Sequence, residues 1–303
     1  IVQMLMKRGL KVVAIRHPMP YGDLVQQKVQ RFATIEDLAH YRCTIEEMEE
    51  YEPHISRGNV IYAGVDYEAI LRQAEKEADV ILWDGGNNDF SFYIPDLQIT
   101  VADPLRAGNE VSFYPGEVCL RTAHVIIINK IDSSSPEQIQ IVRENIARTN
   151  PSATVIEAAS PIIVDRPELI RGKRVLCVED GPTLTHGMMK FGAGVVAARK
   201  FQASQLIDPR PFLSGGLTQT FNTYPDIGTL LPAMGYSDMQ KRDLEDTINR
   251  TDCDTVIIAT PIDLNRIIHI KKPTVRVDYE LQEIGLPNLE EVLEDFCKRK
   301  GLS

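Results

Sequence analysis

Several stretches of this sequence put acids, amides, histidines or glycines where a β-strand would end. In Val80-Ile81-Leu82-Trp83-Asp84-Gly85-Gly86-Asn87-Asn88-Asp89 an apolar run stops at an acid and a glycine pair. Asp84 in that position is suited to the magnesium of a bound nucleotide, directly or through water. Gly85 and Gly86 allow backbone to approach a terminal phosphate, and Asp89 can orient water or substrate. The competing reading is an Asp-Gly turn. In Ile126-Ile127-Ile128-Asn129-Lys130-Ile131-Asp132 the last four residues match the guanine-reading motif of GTPases. There Asp132 would accept from the base, Lys130 would lie over it and Asn129 would tie the loop. Glu157-Ala158-Ala159-Ser160 follows at the next strand end, with Ala159 in the small-residue loop against the base.

A third loop, Val178-Glu179-Asp180-Gly181-Pro182-Thr183-Leu184-Thr185-His186-Gly187, continues to Phe191-Gly192-Ala193-Gly194. Strand, glycine-rich loop and helix start make an anion cradle with free N–H groups. Asp180, Gly181, Thr183, Thr185 and Gly187 would face a phosphate or acidic substrate, and His186 could shuttle protons near neutral pH. A capped strand-to-helix turn is the plainer alternative. A fourth loop, Arg16-His17-Pro18-Met19-Pro20-Tyr21-Gly22-Asp23, offers Arg16 and His17 to phosphate and Asp23 to a metal. Asp103, Asp208 and Asp263 lie in weaker loops of the same kind. His40, His54, His124 and His269 have no partner pattern and read as structural, and Trp83 reads as core packing.

The elements that must carry these loops alternate. Strand-like runs rich in Val and Ile cover residues 10–16, 79–84, 97–102, 124–129, 153–157, 174–179, 206–208, 254–260 and 274–277. Continuous apolar runs suit parallel strands buried on both faces. Amphipathic runs lie between them, with starts at Asp66, at Ser135-Pro136-Glu137-Gln138, at Ser237 with Gln240 and at Asn288 with Glu291. The pattern predicts an α/β fold with a mostly parallel sheet, in which ligands bind beyond the carboxyl ends of strands. Residues 18–60 break the alternation and predict a helical insertion or lid. Its acidic run from Glu46 to Glu52 is expected to be a solvated face. The expected division is a nucleotide-binding domain over residues 1–160 and a second α/β domain over 161–303.

Composition sets bounds. The 303 residues suit two domains. The net charge of -10 disfavours phosphate backbones and anionic membranes, so neither nucleic acid nor membrane is an expected partner. Five scattered cysteines without a C-x-x-C spacing read as reduced thiols of a cytoplasmic protein. No G-x-x-x-x-G-K-[ST] phosphate loop occurs. The chain opens on what reads as the last turns of a helix, ending at Lys7, Arg8 and Gly9. A phosphate loop is therefore expected about ten to fifteen residues upstream.

Together the loops at 16–24, 84–90 and 178–187 resemble the cyclic 2,3-diphosphoglycerate synthetase family, often labelled predicted GTPases. More distantly, residues 84–132 resemble urease- and hydrogenase-maturation GTPases. The first resemblance implies a P-loop NTPase-type sheet followed by a second α/β region, with an N-terminal Rossmann-like domain and phosphate loop ahead of Ile1. It also implies a nucleoside triphosphate-dependent synthetase using Mg²⁺ and ATP or GTP. The γ-phosphoryl group would activate one phosphate of 2,3-diphosphoglycerate, or of a similar small phosphorylated acid, and the other phosphate would close a phosphoanhydride. On this reading Asp84 and Asp23 serve the metal, and Asn129, Lys130 and Asp132 hold the base. Residues 1–303 alone would be inactive, and a homo-oligomer is left open. The alternative is a GTPase of the maturation-factor type acting through a protein partner.

Overall fold

The computed structural model describes residues 1–302 except 20, 21, 87, 88, 182, 183, 185–188 and 234–236. The chain forms two compact units. The first holds residues 1–37, 54–161 and 281–303, and the second holds residues 38–53 and 162–280.

The first unit contains two hydrogen-bonded sheets. Its strands are β1 (Val12–Arg16), β2 (Gln30–Phe32), β3 (Val60–Ala63), β4 (Val80–Trp83), β5 (Ile99–Ala102), β6 (Val125–Ile128) and β7 (Thr154–Ala159). One sheet runs β2-β3-β1-β4, with β1 parallel to both β3 and β4 and β2 antiparallel at the edge. In the other, β5, β6 and β7 are parallel neighbours. The apolar runs explain this. Val12 to Ile15 and Val125 to Ile128 are buried at every position, which suits strands covered on both faces. Leu97 and Met4 pack in two adjoining apolar clusters, one around Val12 and Leu5 and one around Val125 and Ile127. The helix Val2–Lys7 thus lies against strands of both sheets.

The second unit contains β8 (Ile162–Val164), β9 (Arg174–Asp180), β10 (Gln205–Leu206), β11 (Leu231–Ala233), β12 (Thr255–Ala259) and β13 (Thr274–Tyr279). β9 is central. β10 and β11 pair along one side of it and β12 along the other, all parallel, and β13 continues the sheet to an antiparallel β8. The chain then returns to the first unit. β14 (Gln282–Glu283) pairs antiparallel with β7, and the helix Leu289–Lys300 buries Leu289, Leu293 and Cys297 in that unit's core.

The observed division differs from a single split at 160/161 in two places. Residues 281–303 belong with the first unit because β14 extends its second sheet. Residues 38–53 belong with the second, where Ile45 joins the core around β9. A capping box opens the helix Ile45–Ile55: Thr44 N donates to Glu47 Oε2 at 2.7 Å, and Glu47 N donates back to Thr44 Oγ1 at 3.3 Å. The acidic run of the helix Ile45–Ile55 is not the expected solvated face. Glu47, Glu49 and Glu52 are buried, Glu47 as a cap and Glu52 against Arg266. Among the described residues no helix is long and apolar enough to cross a membrane. All five cysteines are free.

Candidate functional site

Strand order places the site. β1 lies between β3 and β4, parallel to both, and β1 and β4 both end toward the same edge of the sheet. In parallel sheets ligands bind beyond the carboxyl ends of the strands, so the loops leaving β1 and β4 are the place to look. Arg16 and His17 stand at the end of β1. Asp84, Gly85, Gly86 and Asp89 stand just after β4.

The two loops are joined by charge-assisted hydrogen bonds. Arg16 Nη1 lies 3.3 Å from Asp84 Oδ2 and donates to the Asp84 carbonyl at 3.2 Å. His54 Nε2 lies 3.1 Å from the same Oδ2, and Asn59 Nδ2 meets His54 Nδ1 at 3.0 Å. Because Asn59 donates through its amide nitrogen, Nδ1 is the acceptor. The imidazole proton then sits on Nε2 and points at Asp84. Both contacts fall on Oδ2, and Oδ1 has no donor among the described residues. Burial pushes the Asp84 carboxyl up, but the His54 hydrogen bond and the Arg16 charge outweigh it and hold the group below its ordinary value.

A second pair stands beside this one. His17 Nδ1 lies 2.7 Å from Asp89 Oδ2, and Gly86 N donates to Asp89 Oδ1 at 2.7 Å. Asp89 therefore has both oxygens engaged, and it fixes the His17 ring with Nε2 facing outward, where no described group binds it. Gly85 is needed at its place: a Cβ there would come within 3.0 Å of the Trp83 indole nitrogen. Trp83 packs against Tyr67, Phe92 and Tyr93, which stiffens the strand end carrying Asp84.

The loops after β5, β6 and β7 form a separate group. Lys130, at φ 58°, donates to Asp103 Oδ2 at 2.9 Å, and Asp103 also accepts from Leu105 N and Arg106. Asp132 Oδ1 accepts from Ser160 N at 2.9 Å, which ties the β6 loop to the one after Ala159. Asn129 Oδ1 is buried without a hydrogen-bond partner among the described residues. No hydrogen bond or ion pair among the described residues joins Asp23 to Asp84. Asp23 is exposed and accepts from Val25 N at 2.9 Å, capping its own turn, so no observation supports it as a metal ligand.

In the second unit the stretch that continues from the 180–187 loop is the start of the helix Ala193–Lys200. That helix start is filled by the chain itself: the buried Glu179 carboxylate accepts from Gly192 N and Gly194 N at 3.2 Å and from Val195 N at 2.9 Å. A Cβ on Gly192 would lie 2.5 Å from Glu179 Oε2, so these glycines make room for an internal acid. Burial raises Glu179 to about 6, against the pull of the three amides. Glu49 lies beside Asp180, and burial together with that neighbouring acid pushes it well above the ordinary range. Asp180 and Gly181 end β9 and follow it. Thr183, Thr185, His186 and Gly187 lie outside the described residues.

His54 and Asn59 were not legible as site residues. Each is separated by 25 or more residues from Asp84, and neither lies in a loop that leaves a strand. The one available signal was a histidine directly after Pro53 near the end of a helix otherwise rich in acids.

The residues fit a nucleotide's magnesium better than a resident metal. Among the described residues no group of three or more His, Cys, Asp or Glu could cage an ion. Asp84 offers a single open carboxylate oxygen, and Mg²⁺ in phosphate sites is commonly held by one or two carboxylates plus phosphate oxygens and water.

No protein-family model matches the chain. It is 64% identical over 298 residues to the arginine synthetase ArcE of Thermococcus kodakarensis. That match covers 98% of this chain and 66% of the relative, so the chain spans a little under two thirds of the relative's length. Among solved structures it is similar to LpxK from Aquifex aeolicus in complex with ATP. The TM-score is 0.54 at 10% identity, over 97% of this chain and 81% of that one. A likeness to HypB from Helicobacter pylori, in complex with nickel, has a TM-score of 0.29 and is too slight to bear on fold or function. The fold is α/β, with mostly parallel sheets and a second α/β region, and at this level it is like that of LpxK.

Proposed function

We propose that this chain belongs to an ATP-dependent ligase that forms arginine, with its chemistry at the carboxyl ends of β1 and β4. The observation that carries the reading is the 64% identity to an arginine synthetase along 98% of the chain. The paired clusters Arg16–Asp84–His54 and His17–Asp89 at one strand edge support it.

The chemistry follows from the product. A guanidinium carbon differs from a ureido carbon by one nitrogen in place of oxygen, and a ureido oxygen leaves only once it has been activated. Transfer of the γ-phosphoryl group to that oxygen breaks the bond to ADP and forms an O-phosphoryl intermediate. Ammonia then adds to the carbon, the C–O bond breaks, phosphate departs and one proton is lost from nitrogen. The substrate class is thus the ureido counterpart of arginine, citrulline, with ammonia as co-substrate. His17, oriented by Asp89, takes the proton at Nε2. Asp84 Oδ1 would hold the magnesium of the nucleotide, which when bound neutralises the charge of the transferring phosphoryl group. Arg16 works through Asp84, since it is Asp84 that its Nη1 contacts.

Cyclisation of 2,3-diphosphoglycerate uses the same first step, phosphoryl activation of an oxygen, and differs in the acceptor. The relative's name favours arginine. The GTPase alternative draws on Asn129, Lys130 and Asp132, yet Lys130 and Asp132 bind Asp103 and Ser160 within the chain. The test supplies citrulline, ammonium, Mg²⁺ and ATP to residues 1–303 and to a protein of the relative's full length. Arginine is followed by mass spectrometry, with 2,3-diphosphoglycerate and GTP as separate arms. Citrulline-dependent arginine formation supports the reading. Nucleotide turnover stimulated only by 2,3-diphosphoglycerate, or GTP hydrolysis indifferent to both acceptors, would overturn it.

A further inference from the structure

One residue before its end, the helix Ile45–Ile55 carries a histidine that neither the sequence pattern nor the similarity to an arginine synthetase assigns. His54 comes from a different element than the loops it serves, and its side chain is largely buried, at 17% exposure. One ring nitrogen is held by Asn59, itself 2% exposed, and the other meets Asp84 Oδ2 at 3.1 Å.

This geometry has a direction. Asn59 donates to Nδ1, so the neutral ring carries its proton on Nε2, and that proton is spent on Oδ2. Arg16 Nη1, which donates to the Asp84 carbonyl, lies 3.3 Å from the same oxygen as an ion pair. One hydrogen bond and one ion-pair contact on the same oxygen restrain the carboxylate torsion, which is otherwise a broad, soft rotor. The other oxygen, Oδ1, is thereby aimed away from both donors, and no described group donates to it. Outer partners that orient a liganding carboxylate in this way carry about tenfold to hundredfold in metal affinity.

We propose that His54 is a positioning residue for the nucleotide's magnesium: with Asn59 fixing its tautomer, it pins Asp84 Oδ2 so that Oδ1 meets the ion. The inference rests on the reading of Asp84 given above. His54 itself touches neither ion nor substrate. Arg16 alone would leave the carboxylate free to turn about a single contact, and the imidazole supplies the second point that fixes the plane.

The experiment uses the full-length protein and a non-hydrolysable ATP analogue, so that no turnover is read. Binding of the analogue is titrated with Mg²⁺ and with EDTA. The Mn²⁺ complex is followed by electron paramagnetic resonance. His54→Ala should weaken metal-dependent binding about tenfold or more, leave binding in EDTA unchanged and alter the Mn²⁺ spectrum. His54→Gln, whose amide N–H can reach the place of Nε2–H, should restore affinity to within about threefold. Asp84→Ala should remove the metal-dependent increment altogether. If Asp84→Ala abolishes the increment and His54→Ala does not reduce it, the positioning role fails while the reading of Asp84 stands. If Asp84→Ala leaves the increment intact, the reading of Asp84 fails and the inference with it. An equal loss in Mg²⁺ and in EDTA for His54→Ala, not rescued by His54→Gln, also overturns the positioning role, since it marks damage to the fold.

Discussion

The two units of this chain put the same kind of residue pattern at a strand end and use it in opposite ways. In the first unit β4 runs into Asp84-Gly85-Gly86. In the second, β9 runs into Glu179-Asp180-Gly181, with further glycines at 192 and 194. Asp84 keeps one carboxylate oxygen without a donor among the described residues. Glu179 gives its oxygens to three backbone amides at the start of the helix Ala193–Lys200. A glycine-rich helix start marks the seat of an anion because its amides are unpaired and its dipole favours negative charge. Whether that anion is a ligand or the chain's own carboxylate is decided by which acid the sheet brings to it.

The comparison breaks most severely if Asp84 proves dispensable. Asp84→Asn should lower kcat/KM for arginine formation by about a hundredfold to a thousandfold, with circular dichroism unchanged. Activity within a few-fold of the parent would move the chemistry elsewhere. Asp89→Asn should come next, at about a hundredfold in kcat with KM little altered. An amide has one acceptor oxygen where the carboxylate has two, so it cannot serve both Gly86 N–H and a His17 Nδ1–H. If the oxygen keeps Gly86, the amide N–H faces Nδ1, drives the proton to Nε2 and leaves His17 unable to accept one. A loss carried by KM alone would assign the pair to binding.

The second unit should respond in stability and not in chemistry. Gly192→Ala places a Cβ 2.5 Å from Glu179 Oε2 and should cost about 1–3 kcal/mol. The Glu179 carboxyl, raised by burial from 4.5 to about 6, takes up protons in the folded state before the unfolded one does. Its contribution to stability is therefore fully present below pH 4.5 and is lost as pH rises through 6, a change of about 2 kcal/mol. Glu179→Gln should remove that slope from unfolding midpoints compared between pH 4.5 and 7. A slope the same in both proteins would mean that Glu179 ionises as it does in the unfolded chain.

The long parallel strands were legible because burial on both faces demands continuous Val and Ile. Residues 10–16, 124–129 and 254–260 each contain one. The short strands were not. β2, β8, β11 and β14 span only two or three residues, too few for a period to declare itself, and tertiary pairing makes them strands. Of the candidate site, Arg16, His17, Asp84 and Asp89 were visible as residues leaving strands, but not the pairing of His17 with Asp89. His54 carries no local signal of its pairing because its partner lies 30 positions away. The acids at 47, 49 and 52 look solvated in sequence because local residues do not reveal that a cap, a neighbouring acid and Arg266 await them.

The smallest expected effect concerns base reading, and it separates the first unit's two groups of loops. Asp132 Oδ1 accepts from Ser160 N, and Lys130 is turned to Asp103. If these residues serve to tie the loops after β5, β6 and β7 together, Asp132→Asn keeps the one acceptor that matters. Relative KM values for ATP, GTP and xanthosine triphosphate should then stay within about twofold, as for other surface substitutions. Guanine recognition predicts otherwise. It needs a carboxylate facing two donors on the base, and exchanging one carboxylate oxygen for an amide nitrogen opposes donor to donor. Preference would then shift from GTP toward the xanthosine nucleotide by more than tenfold, since a site built on hydrogen bonds rejects a mismatched partner strongly. A shift of that size would make Asp132 a ligand contact instead of a loop tie, and would add the β6–β7 edge to the carboxyl ends of β1 and β4 as part of one nucleotide site.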